Sequence, residues 1–210
     1  MTTPRALVLD YGGVLTGPLR ESFNAFEAEI GVTPGRCVSL LVEASRIPGG
    51  GPIGALERGE IEVAEFDALL RRLLIDDGHD VPEVPLVEGL FSRAVPRGQL
   101  WEVAAAVRSS GRGTGLLSNS WGNSLYPFDR LEEVFDVLVI SGDVGMRKPE
   151  RRIYELTVER MELAPEEILF VDDLPRNVEV ARELGMQVVH HDGDDAEVAA
   201  QVSRRLGITP

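Results

Sequence analysis

The stretch ALVLDYGG, residues 6–13, decides how the chain is read. Its apolar run stops at Asp10, and two glycines then follow within three residues. So short an apolar run, unbroken by polar residues, reads as a strand covered on both faces, as strands of parallel sheets are. GLLSN at 115–119, VLVISGD at 137–143 and ILFVDD at 168–173 repeat the pattern, and QVVHH at 187–191 is a fifth candidate. Between them, Gln99–Arg108, Pro149–Met161, Pro175–Leu184 and Asp195–Leu206 carry helical spacing. Strands alternating with helices predict a doubly wound α/β core built on a parallel sheet.

About a hundred residues separate the first two strands, far more than a crossover needs. The excess predicts an inserted unit. Within it SFNAFEAEI, CVSLLVEASR and IEVAEFDALLRRLL repeat apolar residues at three and four, so the insert is expected to be a small helical bundle. Gly17–Pro18 and the proline-rich DVPEVPLVEG are the expected hinges. The expected division is 1–16 and 91–210 for the core and 17–90 for the insert. PGGGPIG at 48–54 reads either as a specificity loop or as a flexible connection.

A chain of 210 residues, 43% hydrophobic, has room for one core domain with such an insert. Its 35 acidic residues against 21 basic ones give a net charge of -14, which argues against nucleic acid and anionic membranes as partners. Cys37 is the only cysteine, so neither a disulfide framework nor a cysteine-rich zinc site is expected. No apolar stretch has signal-peptide or membrane-span length, and a cytoplasmic protein is the expectation. Oligomeric state is not legible.

In open parallel sheets functional groups gather beyond the carboxyl ends of the strands. Asp10, Ser118 and Asp172 fall at such ends, and Lys148 precedes Pro149, which suits the first position of a helix on the same edge. Together they meet the needs of phosphoryl transfer: an anionic nucleophile in Asp10, hard oxygen ligands for magnesium in Asp172 and Asp173, and donors in Ser118 and Lys148. Lys148 is the only lysine of the chain, the other 20 cations being arginines. A compact ammonium is therefore wanted at that position, where a planar guanidinium would not serve equally.

These residues carry a resemblance. LVLDYGGVLT, LLSNS, GMRKPE and VDDLPRN, in that order and strand context, make the chain similar to the haloacid dehalogenase superfamily, in the branch with a helical cap after the first strand. The resemblance implies a Rossmann-like core and a hydrolase, with Asp10 as nucleophile and Ser118 and Lys148 as catalytic donors. It implies Gly12, Gly13 and Asn119 around the substrate, and Mg2+ held by Asp10, Asp172, Asp173 and the Gly12 carbonyl. Asn177 completes the fourth motif. A small phosphorylated metabolite is the expected substrate. One position departs from the pattern: phosphatases of the superfamily usually carry a second aspartate two residues after the nucleophile, and here Gly12 stands there. The loss of such an acid and base costs roughly 10²- to 10⁴-fold in rate.

Singly, each residue has an ordinary reading. Asp10 could close a turn, while Ser118 or the Asp172–Asp173 pair could cap a helix. His79, His190 and His191 read as structural or solvated, and Arg20, Arg46 and Arg58 as solvated helix faces. Two rival activities stand beside the phosphatase. A 2-haloacid dehalogenase uses the same nucleophile without the second aspartate, but adjacent Asp172 and Asp173 call for a cation to offset their repulsion. A phospho-ligand-binding regulator would keep the fold and lose turnover with the second aspartate. A phosphonate-cleaving enzyme would need a lysine in the insert, which has none, and DYGGVLTG lacks the dinucleotide fingerprint.

Overall fold

The computed structural model describes residues 2–208. In chain order the elements are β1 (Ala6–Leu9), α1 (Leu19–Glu29), α2 (Arg36–Ala44), α3 (Gly51–Glu57), α4 (Val63–Asp76), α5 (Leu86–Phe91), α6 (Gly98–Ser109), β2 (Gly113–Ser118), α7 (Phe128–Val134), β3 (Val137–Ile140), α8 (Ser141–Val144), α9 (Arg151–Met161), β4 (Ile168–Asp172), α10 (Pro175–Glu183), β5 (Gln187–His190) and α11 (Asp195–Leu206). The five strands form one parallel sheet in the order β3-β2-β1-β4-β5.

Side chains alternate across a strand, so each strand feeds both faces. Leu7, Leu9, Leu116 and Val171 pack beneath Leu100, Ala104 and Val107 of α6 and Val198 and Val202 of α11. Ala6, Val8, Leu117 and Phe170 pack on the opposite face beneath Ile153 and Tyr154 of α9 and Ala181 of α10. The fold is thus a doubly wound α/β, Rossmann-like sandwich. All four residues of β1 are fully buried, and each large one contributes about 1.5–3 kcal/mol by its removal from water.

Helices α1 to α5 lie between β1 and β2 and share a separate apolar cluster built on Phe23, Phe26, Leu41, Phe66, Leu70, Leu74 and Leu90. The two connections to the core run side by side. Gly17 N–H donates to Val95 O at 2.9 Å and Arg97 N–H to Leu15 O at 2.8 Å, bracketing a bridge between Thr16 and Pro96.

Four local readings change. PGGGPIG is not a loop throughout, because α3 starts at Gly51 with Pro52 in its first turn, where a missing N–H costs nothing. The proline-rich stretch is not simply a hinge. Pro85 precedes α5, and Leu86, Val87 and Leu90 bury themselves in the insert. VLVISGD is a strand only to Ile140, since Ser141 opens the single turn α8. Pro149 lies outside α9, whose first residue is Arg151. The reason is local: the Asn119 side chain occupies both backbone groups of Lys148, and Glu150 N–H closes a turn onto Arg147 O, holding this stretch as a loop. The Lys148–Pro149 peptide is cis. No helix among the described residues is long and apolar enough to cross a membrane.

Candidate active site

Asp10, Ser118, Lys148, Asp172 and Asp173 come together at the carboxyl edge of the sheet, and most of them line a cavity of about 310 Å³ below the insert. Asp10 follows β1, and its N–H donates to Val171 O of the neighbouring strand at 3.0 Å. Lys148 is 1% exposed, and its Nζ lies 2.7 Å from Asp10 Oδ1 and 2.7 Å from Asp172 Oδ2. Burial works against the Lys148 ammonium, but Asp10 and Asp172 outweigh it and hold the group charged above its ordinary range. Burial, reinforced by Asp172 and Asp173, raises the Asp10 carboxyl despite the opposing pull of Lys148.

The two oxygens of Asp10 differ. Oδ1 accepts from Tyr11 N–H at 2.7 Å and faces Lys148, whereas Oδ2 accepts no hydrogen bond among the described residues. Asp172 is saturated by comparison: Oδ1 takes Leu174 N–H and Asn177 Nδ2, both at 2.9 Å, and Oδ2 takes Lys148 Nζ. Asp172 caps no helix: Leu174 stands at the N-cap of α10 without a side-chain cap bond, and Asp172 Oδ1 instead closes a turn onto the Leu174 N–H. No side-chain donor among the described residues reaches the Asp173 carboxylate, which burial and its neighbour Asp172 push upward in pKa. Carboxylate oxygens of the three aspartates lie within 4.8 Å of one another. Among the described residues, Asp10 Oδ2 and the Asp173 carboxylate keep lone pairs that suit a hard divalent cation.

Gly13 makes this approach possible. Its φ is +78°, and a Cβ there would sit 2.5 Å from Asp173 Oδ2, so a larger residue would both strain the turn and expel the carboxylate. Gly12 has a different neighbour, since a Cβ on it would meet Leu19 Cδ1 at 2.9 Å. Leu19 of α1 occupies the space into which a side chain at position 12 would grow.

Ser118 caps no helix. Its Oγ shares a 2.8 Å hydrogen bond with the Tyr126 hydroxyl, a phenol that burial drives far above its normal range. Asn119 is occupied by positioning work: Oδ1 accepts Lys148 N–H at 2.8 Å, and Nδ2 donates to Lys148 O at 3.0 Å and to Glu57 Oε2 at 3.3 Å. His190 bonds the Asp173 carbonyl and His191 the Asp195 carboxylate, in keeping with structural roles. Arg58 is not a solvated residue, because it pairs with Glu60 and, across the interface, with Glu150.

Several lining residues carry no signal in the sequence. Tyr11, Leu19, Phe23, Phe91, Trp121 and Leu125 give the cavity an apolar wall, with Arg176 and Glu57 as further charges. The wall draws on both insert and core, and no short motif joins those positions. Trp121 comes after β2 and reaches into the insert, where its ring meets Phe23, Phe66 and Phe91 at centroid distances of 5.2 to 6.0 Å.

Residues 4–185 match the haloacid dehalogenase-like hydrolase family, and the chain belongs to that family. It is a hydrolase. It is 30% identical over 201 residues to mouse acyl-CoA dehydrogenase family member 10, covering 92% of this chain and 18% of that protein, so it spans only a small part of that relative. Among solved structures, a predicted hydrolase of this family from Porphyromonas gingivalis superposes with a TM-score of 0.74 at 26% identity, covering 99% of this chain and 100% of that one. An enzyme of the family from Bacteroides thetaiotaomicron, in complex with magnesium and inorganic phosphate, superposes with a TM-score of 0.66 at 23% identity, covering 91% and 96%.

Proposed function

We propose that the chain is a magnesium-dependent phosphatase that hydrolyses a small phosphorylated metabolite through an aspartyl-phosphate at Asp10. The observation that carries this reading is the asymmetry of Asp10: one oxygen is fixed by Lys148 and the Tyr11 N–H, and the other accepts no hydrogen bond among the described residues. A carboxylate held in that way is oriented for attack. Asp10, Asp172, Asp173 and the Gly12 carbonyl would hold Mg2+, which supplies charge neutralisation for the phosphoryl oxygens when bound. The B. thetaiotaomicron relative, which binds magnesium and phosphate, is consistent with this assignment. Lys148 holds Asp10 and adds positive charge at the anionic end of the substrate, and Ser118 offers a hydroxyl donor there.

Residues 17–90 act as a cap whose apolar residues cover the reacting centre and exclude water. The wall of Leu19, Phe23, Phe91, Trp121 and Leu125 favours a substrate whose body is largely apolar. The test is phosphate release from a panel of phosphate esters with and without Mg2+, for the wild type and Asp10→Asn. Magnesium-dependent release that falls by roughly 10³-fold or more in a folded Asp10→Asn protein is expected. Halide release from 2-haloacids in excess chelator would instead assign a dehalogenase. Magnesium-dependent binding of phosphorylated ligands with no turnover would assign a regulator.

A further inference from the structure

The missing aspartate at position 12 leaves two proton transfers without an agent. A phosphate ester of a poor leaving group needs a proton on the departing oxygen, and the acyl-phosphate needs a base for the attacking water. The space a side chain at position 12 would enter belongs to Leu19, which can do neither.

The other groups of the cavity narrow the choice. Lys148 is pinned between two carboxylates that favour its charged form. The Tyr126 phenol is engaged with Ser118 and strongly disfavours ionisation, and an arginine such as Arg176 does not release a proton. Among the described residues no histidine lines the cavity, and outside the aspartate cluster the one carboxyl lining it is Glu57, the last residue of α3.

Glu57 is 6% exposed, which is unusual for a glutamate and calls for a reason. Its Oε2 takes Asn119 Nδ2 at 3.3 Å, and that amide in turn holds the backbone of Lys148, so the carboxyl is one side chain away from the catalytic loop. Arg147 Nε lies 2.5 Å from the same oxygen without forming an aligned hydrogen bond. Oε1 accepts one hydrogen bond, from Trp121 Nε1 at 3.2 Å, which leaves it a second lone pair able to carry a proton. Burial raises the Glu57 carboxyl against the opposing influence of Arg147, the Trp121 N–H, Arg176 and Lys148.

We infer that Glu57, carried by the helical insert, is the general acid and base that replaces the absent aspartate at position 12. This inference rests on the phosphatase reading. As the Asp10 carboxylate bonds to phosphorus and the ester P–O bond breaks, the Glu57 proton passes to the departing oxygen. Water then bonds to phosphorus and gives its proton to the Glu57 carboxylate, while the bond to Asp10 breaks and inorganic phosphate leaves. Glu57 ends the cycle protonated, as it began. The acid is thus present only when the insert covers the site, which couples proton transfer to exclusion of water.

The experiment compares alkyl and aryl phosphates of matched size on the wild type, Glu57→Gln and Asp10→Asn with Mg2+ present. Glu57→Gln is expected to lower kcat for the alkyl ester by roughly 10²-fold or more, and for an aryl ester with an acidic phenol by less than about tenfold in the first, single-turnover step. Equal losses on both esters would assign Glu57 a merely structural role and overturn the inference, as would no loss on either. Should Glu57→Gln fail to fold by circular dichroism, the wild type decides alone. A shallow dependence of the single-turnover rate on leaving-group pKa is expected, and a steep one overturns the inference. Failure of the phosphatase reading looks different, since the wild type would then release no phosphate from any ester.

Discussion

A Cβ on Gly12 would lie 2.9 Å from Leu19 Cδ1, so the first residue of the insert's first helix fills the place of a side chain the superfamily pattern supplies at that position. The glycine and the leucine are complementary. Restoring the aspartate alone therefore overfills the site. We expect Gly12→Asp to fold, because only the far end of a partly exposed leucine must move, with a cost near the lower end of the roughly 1–3 kcal/mol typical of overpacking. In a Glu57→Gln background, hydrolysis of alkyl phosphates should recover only when Leu19→Ala accompanies Gly12→Asp, by about tenfold or more within the range that general acid catalysis supplies. Steady-state kinetics of the single and double variants check this, and a full gain from Gly12→Asp alone would show that Leu19 is no obstacle.

Lys148 offers a second handle, because its ammonium is the cation 2.7 Å from both Asp10 and Asp172. Lys148→Met leaves two buried carboxylates facing each other without it. Breaking such a buried arrangement costs about 3–5 kcal/mol, which at this chain length lowers Tm by roughly 6–20 °C. Lys148→Arg should not restore activity, since a planar guanidinium cannot replace a compact ammonium in a site 1% exposed. Thermal unfolding in chelator and phosphate-release assays test both parts, and an unchanged Tm in Lys148→Met would show that the two carboxylates do not depend on it.

Legibility in the sequence depends on how local each signal is. The strand runs at 6–10 and 168–173 and the helix Asp195–Leu206 are legible because burial on both faces, or a 3.6-residue period, is written in consecutive residues. Asp10, Lys148 and Asp172 are legible because each stands where a strand or loop ends at one edge of the sheet. Glu57, Leu19 and Trp121 are not. Their partners are distant in the chain, and Glu57 looks like any glutamate ending a helix until α3 is docked over Asn119 and Arg147. The glycines of PGGGPIG obscure α3, because their turn-forming character describes residues 48–50 but not the helix that begins at Gly51.

Asp173 separates metal binding from the structural part of the cluster. Asp172 spends its oxygens on Lys148, Asn177 and Leu174, whereas no side-chain donor among the described residues meets the Asp173 carboxylate. Saturating Mg2+ at about 100 times its Kd should stabilise the wild type by about 2.7 kcal/mol, a rise in Tm of roughly 5–10 °C. Asp173→Asn should lose most of that rise while keeping the fold. Differential scanning calorimetry with and without Mg2+ measures it, and an equal rise in both proteins would remove Asp173 from the metal site.

The last prediction concerns movement of the insert, and Trp121 is placed to report it. The chain has two tryptophans. Trp101 lies in the core, where its Nε1 donates to Leu15 O at 3.0 Å and Arg130 stacks over its ring. Trp121 instead crosses from the core into the insert, among Phe23, Phe66 and Phe91, with its Nε1 on Glu57. If the insert swings away to admit substrate, those aromatic contacts and the Glu57 bond must break together, and the indole enters water. In a Trp101→Phe protein, whose lost hydrogen bond should cost about 1–2 kcal/mol, emission then comes from Trp121 alone. Adding Mg2+ with inorganic phosphate should shift that emission to shorter wavelength and reduce quenching by acrylamide, as closure removes the ring from solvent. Glu57→Gln in the same background should weaken the latch and raise quenching in the ligand-free protein. Identical quenching with and without ligand, and with and without Glu57, would mean that the insert stays closed and that substrate enters by another route.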